Sequence, residues 1–166
     1  ETDRLELSLD LMEALAFDPD LAGFDGIGFV VQAYQKRCPF VLDHLIDLAR
    51  RSGRKFMVRL VKGAYWDAEI KRAQVDGMDG YPVYTRKVYT DVSYLTCFLF
   101  GIVRWCATDV IYAQFATHNA HTVATIHTWA VARNVSNYEF QCLHGMGETL
   151  YDQVVGANNL NKICRI

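Results

Sequence analysis

The sequence predicts a parallel α/β fold: four or five βα units, read as part of a (βα)8 TIM-like barrel rather than an open doubly wound sheet. Three observations predict it. Short apolar, β-branched runs alternate with helical segments about every 30 to 50 residues, the pattern of βα units around a parallel sheet. No G-x-G-x-x-G follows a strand and no G-x-x-x-x-G-K-[ST] occurs, so the open doubly wound alternative lacks its nucleotide-binding fingerprints. Each strand ends in polar or aromatic residues, and barrels gather their chemistry at the C-terminal ends of strands.

The elements follow in order. Leu5, Leu9, Met12 and Ala16 recur at helical spacing, and Asp18-Pro19-Asp20 ends that helix because a residue before proline disfavours α geometry. Ile27 to Val31 is a continuous apolar run and reads as a strand buried on both faces. Pro39 opens a helix with the stripe Val41, Leu42, Leu45, Ile46 and Ala49; Ser52-Gly53 closes it, with Arg50, Arg51 and Arg54 favourable at its C-terminal end. Phe56 to Val61 is the second strand, Trp66 to Gln74 a helix, and Asp76 to Pro82 a loop. Thr85 to Leu99 is helical, with Thr85 or Thr90 as its cap. Val110 to Ala116 is a strand, Ala120 to Val131 a helix rich in threonine, and Tyr138 to Leu143 a strand. Glu148 to Val155 is a short helix, and Ile163 to Ile166 opens a fifth strand.

Composition narrows the function classes. Of 166 residues, 51% are hydrophobic and 13% aromatic, which supports one globular core and excludes disorder. A net charge of −2 without a basic run argues against a nucleic-acid surface. Five scattered cysteines with no C-x-x-C pair fit a reducing compartment, not a zinc site or disulfide framework. There is no apolar run of membrane-spanning length and no signal-peptide pattern. The chain begins at Glu1 without methionine and stops as a strand begins; both ends read as cuts, so residues 1–166 are expected to be a partial barrel domain.

The strand ends supply the candidate site: Gln32 and Tyr34; Arg59 with Lys62 to Trp66; Gln114 with Thr117, His118 and Asn119; Gln141, Cys142 and His144. Arg59 stands in mid-strand, where a buried guanidinium must meet something anionic or strongly polar. It either stabilises negative charge growing on an acceptor or pairs with a carboxylate inside the barrel. Two aromatics after the strand, Tyr65 and Trp66, suit a wall for a flat ring. Thr117, His118 and Asn119 are either donors to a phosphate or polar cofactor edge at a strand-to-helix turn, or a structural cap. His118 with His121 forms an H-x-x-H pair, but without nearby acidic ligands it does not make a metal site. The His144-Gly-Met-Gly loop either lets backbone approach a ligand or is a tight turn. Cys142 in an apolar strand reads as a small hydrophobe rather than a nucleophile.

Four long strings carry a resemblance: Arg59-Leu-Val-Lys-Gly-Ala-Tyr-Trp-Asp67, Gly80-Tyr-Pro-Val-Tyr-Thr-Arg-Lys-Val-Tyr-Thr-Asp91, Gln114-Phe-Ala-Thr-His-Asn119 and Tyr138-Glu-Phe-Gln-Cys-Leu-His-Gly-Met-Gly147. Together with Gly26 to Pro39 they resemble the proline dehydrogenase family, in the form of the proline dehydrogenase domain of bacterial bifunctional proline utilization enzymes. The resemblance implies a distorted (βα)8 barrel holding FAD non-covalently, of which this chain covers roughly the strand 4 to strand 8 part. It implies a flavoprotein oxidoreductase that oxidises L-proline to Δ1-pyrroline-5-carboxylate by hydride transfer, the first step of proline catabolism to glutamate. It further implies a quinone as electron acceptor, an aldehyde dehydrogenase domain in the full-length chain, and a cytoplasmic protein that meets the inner membrane peripherally.

By the same resemblance, Arg59 and Tyr65 are the catalytic positions, and Leu60 and Tyr65 wall the proline pocket. Gln32, Arg59, Val61, Lys62, Gly63, Ala64, Trp66, Tyr84 and Thr85 lie about the flavin. Thr117, His118 and Asn119 serve its phosphates and ribityl chain, and Gln141, Cys142 and Leu143 its adenine side. The family's substrate-contacting lysine and aspartate would precede Glu1, and its carboxylate-clamping arginine pair would follow Ile166. Phe98 to Thr108, Ala113 and Trp129 to Asn137 depart from the family pattern, and the apolar stretch 98–106 would be an adhesive surface if exposed. The alternative is a truncated, non-catalytic barrel fragment that needs the missing strands and final helix to bind FAD and substrate.

Overall fold

Five strands, all parallel and hydrogen-bonded in the order of the chain, form one sheet in the computed structural model, which describes residues 4–105, 110–157 and 163–165. They are β1 (Gly28–Gln32), β2 (Phe56–Val61), β3 (Ile111–Ala116), β4 (Tyr138–Cys142) and β5 (Ile163–Arg165). A doubly wound sheet reverses its strand order at a switch point. This sheet does not, so it has the order of a barrel arc.

Among the described residues α1 (Leu5–Phe17) precedes β1, and five further α-helices connect the strands: α2 (Cys38–Ser52), α3 (Trp66–Val75), α4 (Lys87–Trp105), α5 (Ala120–Ala132) and α6 (Glu148–Ala157). Two of them, α3 and α4, share the crossover from β2 to β3. Of the two, α4 packs against the back of the sheet: its buried Tyr94 hydroxyl reaches the carbonyls of Leu60 and Ala116, each 3.2 Å away. Burial holds that hydroxyl well above its ordinary pKa, so it stays a neutral donor.

The two sides of the sheet differ as a period-two pattern requires. Phe56, Val58 and Leu60 of β2, Ile111, Ala113 and Phe115 of β3, and Phe140 of β4 are buried under the helices. The alternating residues Met57, Arg59, Val61, Tyr112, Gln114 and Ala116 lie half-buried on the opposite, inner face. Ring contacts lock the outer layer. Phe115 meets Phe98, Tyr138 and Phe140 at centroid distances of 5.2, 5.8 and 6.3 Å.

Local signals explain the helix ends. Gly53 takes the left-handed conformation after α2, at φ 64°, and its N–H and that of Arg54 reach back to the last carbonyls. The Arg54 side chain, expected at the end of α2, turns away from it. Its guanidinium donates to the carbonyls of Ala16, Asp18 and Leu21, closing the end of α1 and the following turn. A proline at the second helical position begins α2 one residue earlier than predicted.

Other expectations are corrected as well. β1 is not buried on both faces: Val30 is 46% exposed, because the inner face of the strand opens onto a cavity. Neither Thr85 nor Thr90 caps α4, which begins at Lys87; Thr85 lies before it, and Thr90 is buried within its first turns. Cys38 and Cys97, distant in sequence, meet between α2 and α4 with their sulfurs 3.3 Å apart. Phe98, at the start of the apolar stretch 98–106, is fully buried, and the side chains from residue 100 onward in that stretch lie outside the described residues. Cys106 and the remainder of the 106–109 segment lie outside the described residues, as does Ile166.

Phe115→Ala should lower stability by about 3–5 kcal/mol, the usual cost of deleting a buried aromatic. Chemical denaturation of a full-length protein carrying this chain measures it, and a loss below about 1 kcal/mol would contradict the packing described.

Candidate active site

A cavity of about 670 Å3 lies at the C-terminal ends of the strands. It is lined by Val30 and Gln32 from β1, Arg59 and Val61 from β2, and the loop Lys62-Gly63-Ala64-Tyr65. Lys87, Ala116, Thr117, His118, Asn119 and Leu143 complete the wall. The sheet thus brings together candidates spread over more than one hundred positions. Tyr65, 59% exposed, stands at the rim.

The backbone explains why this loop faces the cavity. Beyond β1 the pairing with β2 continues through Ala33 N–H to Val61 O and Tyr34 N–H to Lys62 O. The loop before α4 then crosses over, with Lys36 N–H donating to Pro82 O and Tyr84 N–H to Tyr34 O. This wedges the ring of Tyr34 under Gly63. A Cβ at Gly63 would stand 2.6 Å from that ring, and its φ of 120° is itself open chiefly to glycine. The Tyr34 hydroxyl donates to Glu69 of α3 at 3.5 Å, and burial, with the Glu69 carboxylate beside it, pushes its pKa up to about 12. It is therefore a neutral wedge and not an acid–base group.

Among the described residues Arg59 is met by an amide, not directly by a carboxylate. Its Nε donates to Gln141 Oε1 at 2.7 Å. Gln141 Nε2 donates onward to Glu139 Oε1 at 2.8 Å, where Gln114 Nε2 also donates at 2.8 Å. The Tyr112 hydroxyl donates to Glu139 Oε2 at 3.2 Å. The strand register aligns these residues: Arg59 pairs with Gln114, Gln114 with Glu139, and Ala116 with Gln141. The carboxylate-pairing reading of Arg59 holds only at one remove: Glu139 is present, but one amide away.

Around Lys62 the charges are paired. Asp91 accepts from Lys62 and, at 2.6 Å, from Lys87. Partial burial works to raise the Asp91 pKa, but the hydrogen bonds from the two lysines outweigh it and hold the carboxyl below its ordinary value.

The Thr117-His118-Asn119 turn divides its work. Asn119 Oδ1 accepts from Thr122 N–H at 3.0 Å and so caps α5. His118 Nε2 accepts the Leu143 N–H at 3.0 Å, which assigns the proton to Nδ1 and leaves that nitrogen as the donor. The glycine-rich loop closes against this ring: a Cβ at Gly147, whose φ is 69°, would lie 2.8 Å from His118 Cδ2. Close backbone approach is thus made to His118. Among the described residues no group of three or more His, Cys, Asp or Glu is placed to hold a metal.

Several candidates lie elsewhere. Leu60, 0% exposed, points to the helices on the face opposite Arg59, so its side chain does not wall the cavity. Cys142 is likewise buried beneath the helices, on the same face as Phe140. Gln141, on the inner face but buried, reaches the cavity through Arg59. Trp66 and Thr85 line a neighbouring cavity of about 390 Å3, together with Tyr34, Lys62, Gly63, Lys87 and Thr90. Tyr84 ties the two loops, its carbonyl accepting Trp66 Nε1 at 2.8 Å. Glu139 was missed as a site residue. Its signal was available: a carboxylate two positions before Gln141 in an otherwise apolar strand puts both on one face.

Gly63→Ala should cost more than 1 kcal/mol, from the φ penalty and the contact with Tyr34. Thermal melting of the full-length protein checks it, and an unchanged melting temperature would rule out the wedge. Asp91 yields a pH prediction. Its folded-state pKa is depressed, so its contribution is complete above about pH 4 and is lost as pH falls through the folded value. The stability gap between wild type and Asp91→Asn should be constant above about pH 5 and close at lower pH; a gap persisting to about pH 2 would refute the lysine clamp.

With this geometry in hand, comparison with known proteins is direct. A family profile for proline dehydrogenase matches residues 1–166. The chain is 65% identical to the bifunctional protein PutA of Klebsiella aerogenes and 64% identical to that of Escherichia coli K12. Each match takes in 100% of this chain but only 13% of the relative's length. Among solved structures, a mutant of proline utilization A of Bradyrhizobium japonicum superposes with a TM-score of 0.91 at 52% identity, over 99% of this chain and 16% of that one. The enzyme of Bdellovibrio bacteriovorus inactivated by N-propargylglycine superposes at 0.88 with 31% identity, over 98% of this chain and 16% of that one.

Proposed function

We propose that this chain, which belongs to the proline dehydrogenase family, carries the flavin-facing half of a site that oxidises L-proline to Δ1-pyrroline-5-carboxylate. The family is one of oxidoreductases with a TIM-barrel-like parallel α/β fold, and the five parallel strands fit it. We place them as strands four to eight of a (βα)8 barrel in a longer bifunctional chain. An aldehyde dehydrogenase domain would follow the proline step, and a quinone at the inner membrane would take the electrons from a protein otherwise cytoplasmic.

The observation that carries this reading is a permanent cation on the inner face of the sheet, beside a loop that only a glycine allows to fold into the same cavity. The residues fit FAD by their chemistry. A cationic guanidinium, a half-buried strand face and the rim aromatic Tyr65 suit a flat ring that gains negative charge. The His118 Nδ1–H, beside the N-terminus of α5, suits a polar or phosphate edge. When bound, FAD supplies the two-electron acceptor that no side chain here provides.

The chain's own residues bind, orient and polarise. Arg59 cannot be a base, and acts by holding positive charge where the acceptor becomes electron-rich. Val30, Gln32 and Val61 form the floor behind it. Tyr65 walls the substrate side at the rim, in place of Leu60, whose role is to hold the back of β2 against α4.

One observation favours the second reading, a fragment inactive by itself. The inner face at Val30 is open, and the outer edges of β1 and β5 are unpaired among the described residues. The isolated 166-residue stretch would then need complementary segments to hold FAD.

In the full-length enzyme, Arg59→Met should slow proline-dependent bleaching of the flavin band by about 100-fold, the scale for losing one charge-stabilising donor. Stopped-flow absorbance measures it, and an unchanged rate would remove Arg59 from this role. The isolated stretch, purified without flavin absorbance, would support the second reading for the fragment alone.

A further inference from the structure

We propose that Glu139 is a positioning residue for the reaction, acting on Arg59 through the side chain of Gln141. This rests on the reading of Arg59 given above.

The donor and acceptor chemistry of each group fixes its partner. Arg59 Nε only donates, so it must meet the oxygen of the Gln141 amide, 2.7 Å away. Glu139 accepts three hydrogen bonds, from Gln141 and Gln114 at Oε1 and from Tyr112 at Oε2. It must therefore meet the amide nitrogen of Gln141, 2.8 Å away. The two neighbours impose the same orientation on one amide. Gln141 alone could turn either end towards Arg59, and the wrong end would set two donors against each other. Glu139 removes that choice.

Glu139 is itself held on several sides. Gln114 and Tyr112 come from the neighbouring strand β3, and Gln114 stands opposite Glu139 in the register. A network with every member satisfied is stiff, whereas a partly satisfied one leaves its members to rotate. The consequence for Arg59 is a guanidinium pinned at Nε, its terminal nitrogens aimed by a fixed partner. Glu139 does not line the cavity, so it acts at one remove and not by contact.

The test is a double-mutant cycle in the full-length holoenzyme. Glu139→Met keeps roughly the volume and accepts nothing; Glu139→Gln keeps an oxygen to accept from Gln141. With Arg59 present, Glu139→Met should slow proline-dependent flavin reduction by about tenfold and weaken FAD binding, read by flavin fluorescence, by about fivefold. In an Arg59→Met background the same change should cost less than about twofold in either measurement. Glu139→Gln should stay within about threefold of wild type. Equal losses in both backgrounds, or no loss with Arg59 present, would overturn the inference. If Glu139→Met fails to fold, Gln141→Met carries the same cycle with the same expected coupling. Should Arg59→Met alone leave reduction unchanged, the reading of Arg59 itself fails; should it slow reduction while Glu139→Met does not, only the role of Glu139 falls.

Discussion

A guanidinium on the inner face of a parallel sheet must be met by acceptors, and the rest of this site is arranged around that need. Arg59 finds its acceptor two strands away in sequence order, in Gln141, and the charge that balances it sits one amide further, in Glu139. A direct ion pair would have quenched the cation and bound it at short range. The intervening amide keeps Arg59 hydrogen-bonded while leaving its charge available to the cavity. The arrangement depends on parallel register, because only strands aligned in this way place Arg59, Gln114, Glu139 and Gln141 on one patch of the inner face.

The second constraint is steric. The loop after β2 enters the cavity because Gly63 passes over the ring of Tyr34, and Tyr34 is held there by backbone pairing on both sides. Lys62, immediately before that glycine, is tied to Asp91 of α4, and Trp66, beyond it, is tied to the carbonyl of Tyr84. The rim is thus fastened to the first turns of α4, while Tyr94 of the same helix fastens the back of β2 and β3. One helix serves both faces of the strand that bears Arg59.

Much of this was legible in the sequence. The strand boundaries of β2 to β4 fell within a residue or so of their observed positions, since alternation and glycine or proline punctuation are local properties. The convergence of Arg59, the Lys62 to Tyr65 loop and Thr117 to Asn119 followed from placing all strand ends on one rim. What failed were statements of facing and partner. Leu60 and Cys142 lie in the right strings but on the helix side, which follows from the pleat once its phase is known. Burial of β1 on both faces failed because Val30 is apolar yet faces the cavity. Arg54 was assigned to its own helix, although its three carbonyl acceptors belong to α1 and the turn that follows it.

By itself the sequence determined the family, the parallel α/β class, the order of elements, and the presence of a cation, a glycine and two aromatics at one strand end. These are written in residue type and spacing. The tertiary structure alone decided which side of each strand faces the cavity, that the glycine is there for Tyr34, and that Gln141 and Glu139 stand behind Arg59. The reason is the range of the interactions. Turns and helix stripes are set by neighbours a few residues away, whereas the acceptor for Arg59 comes from 82 positions along the chain and is brought near only when β2, β3 and β4 pair in register.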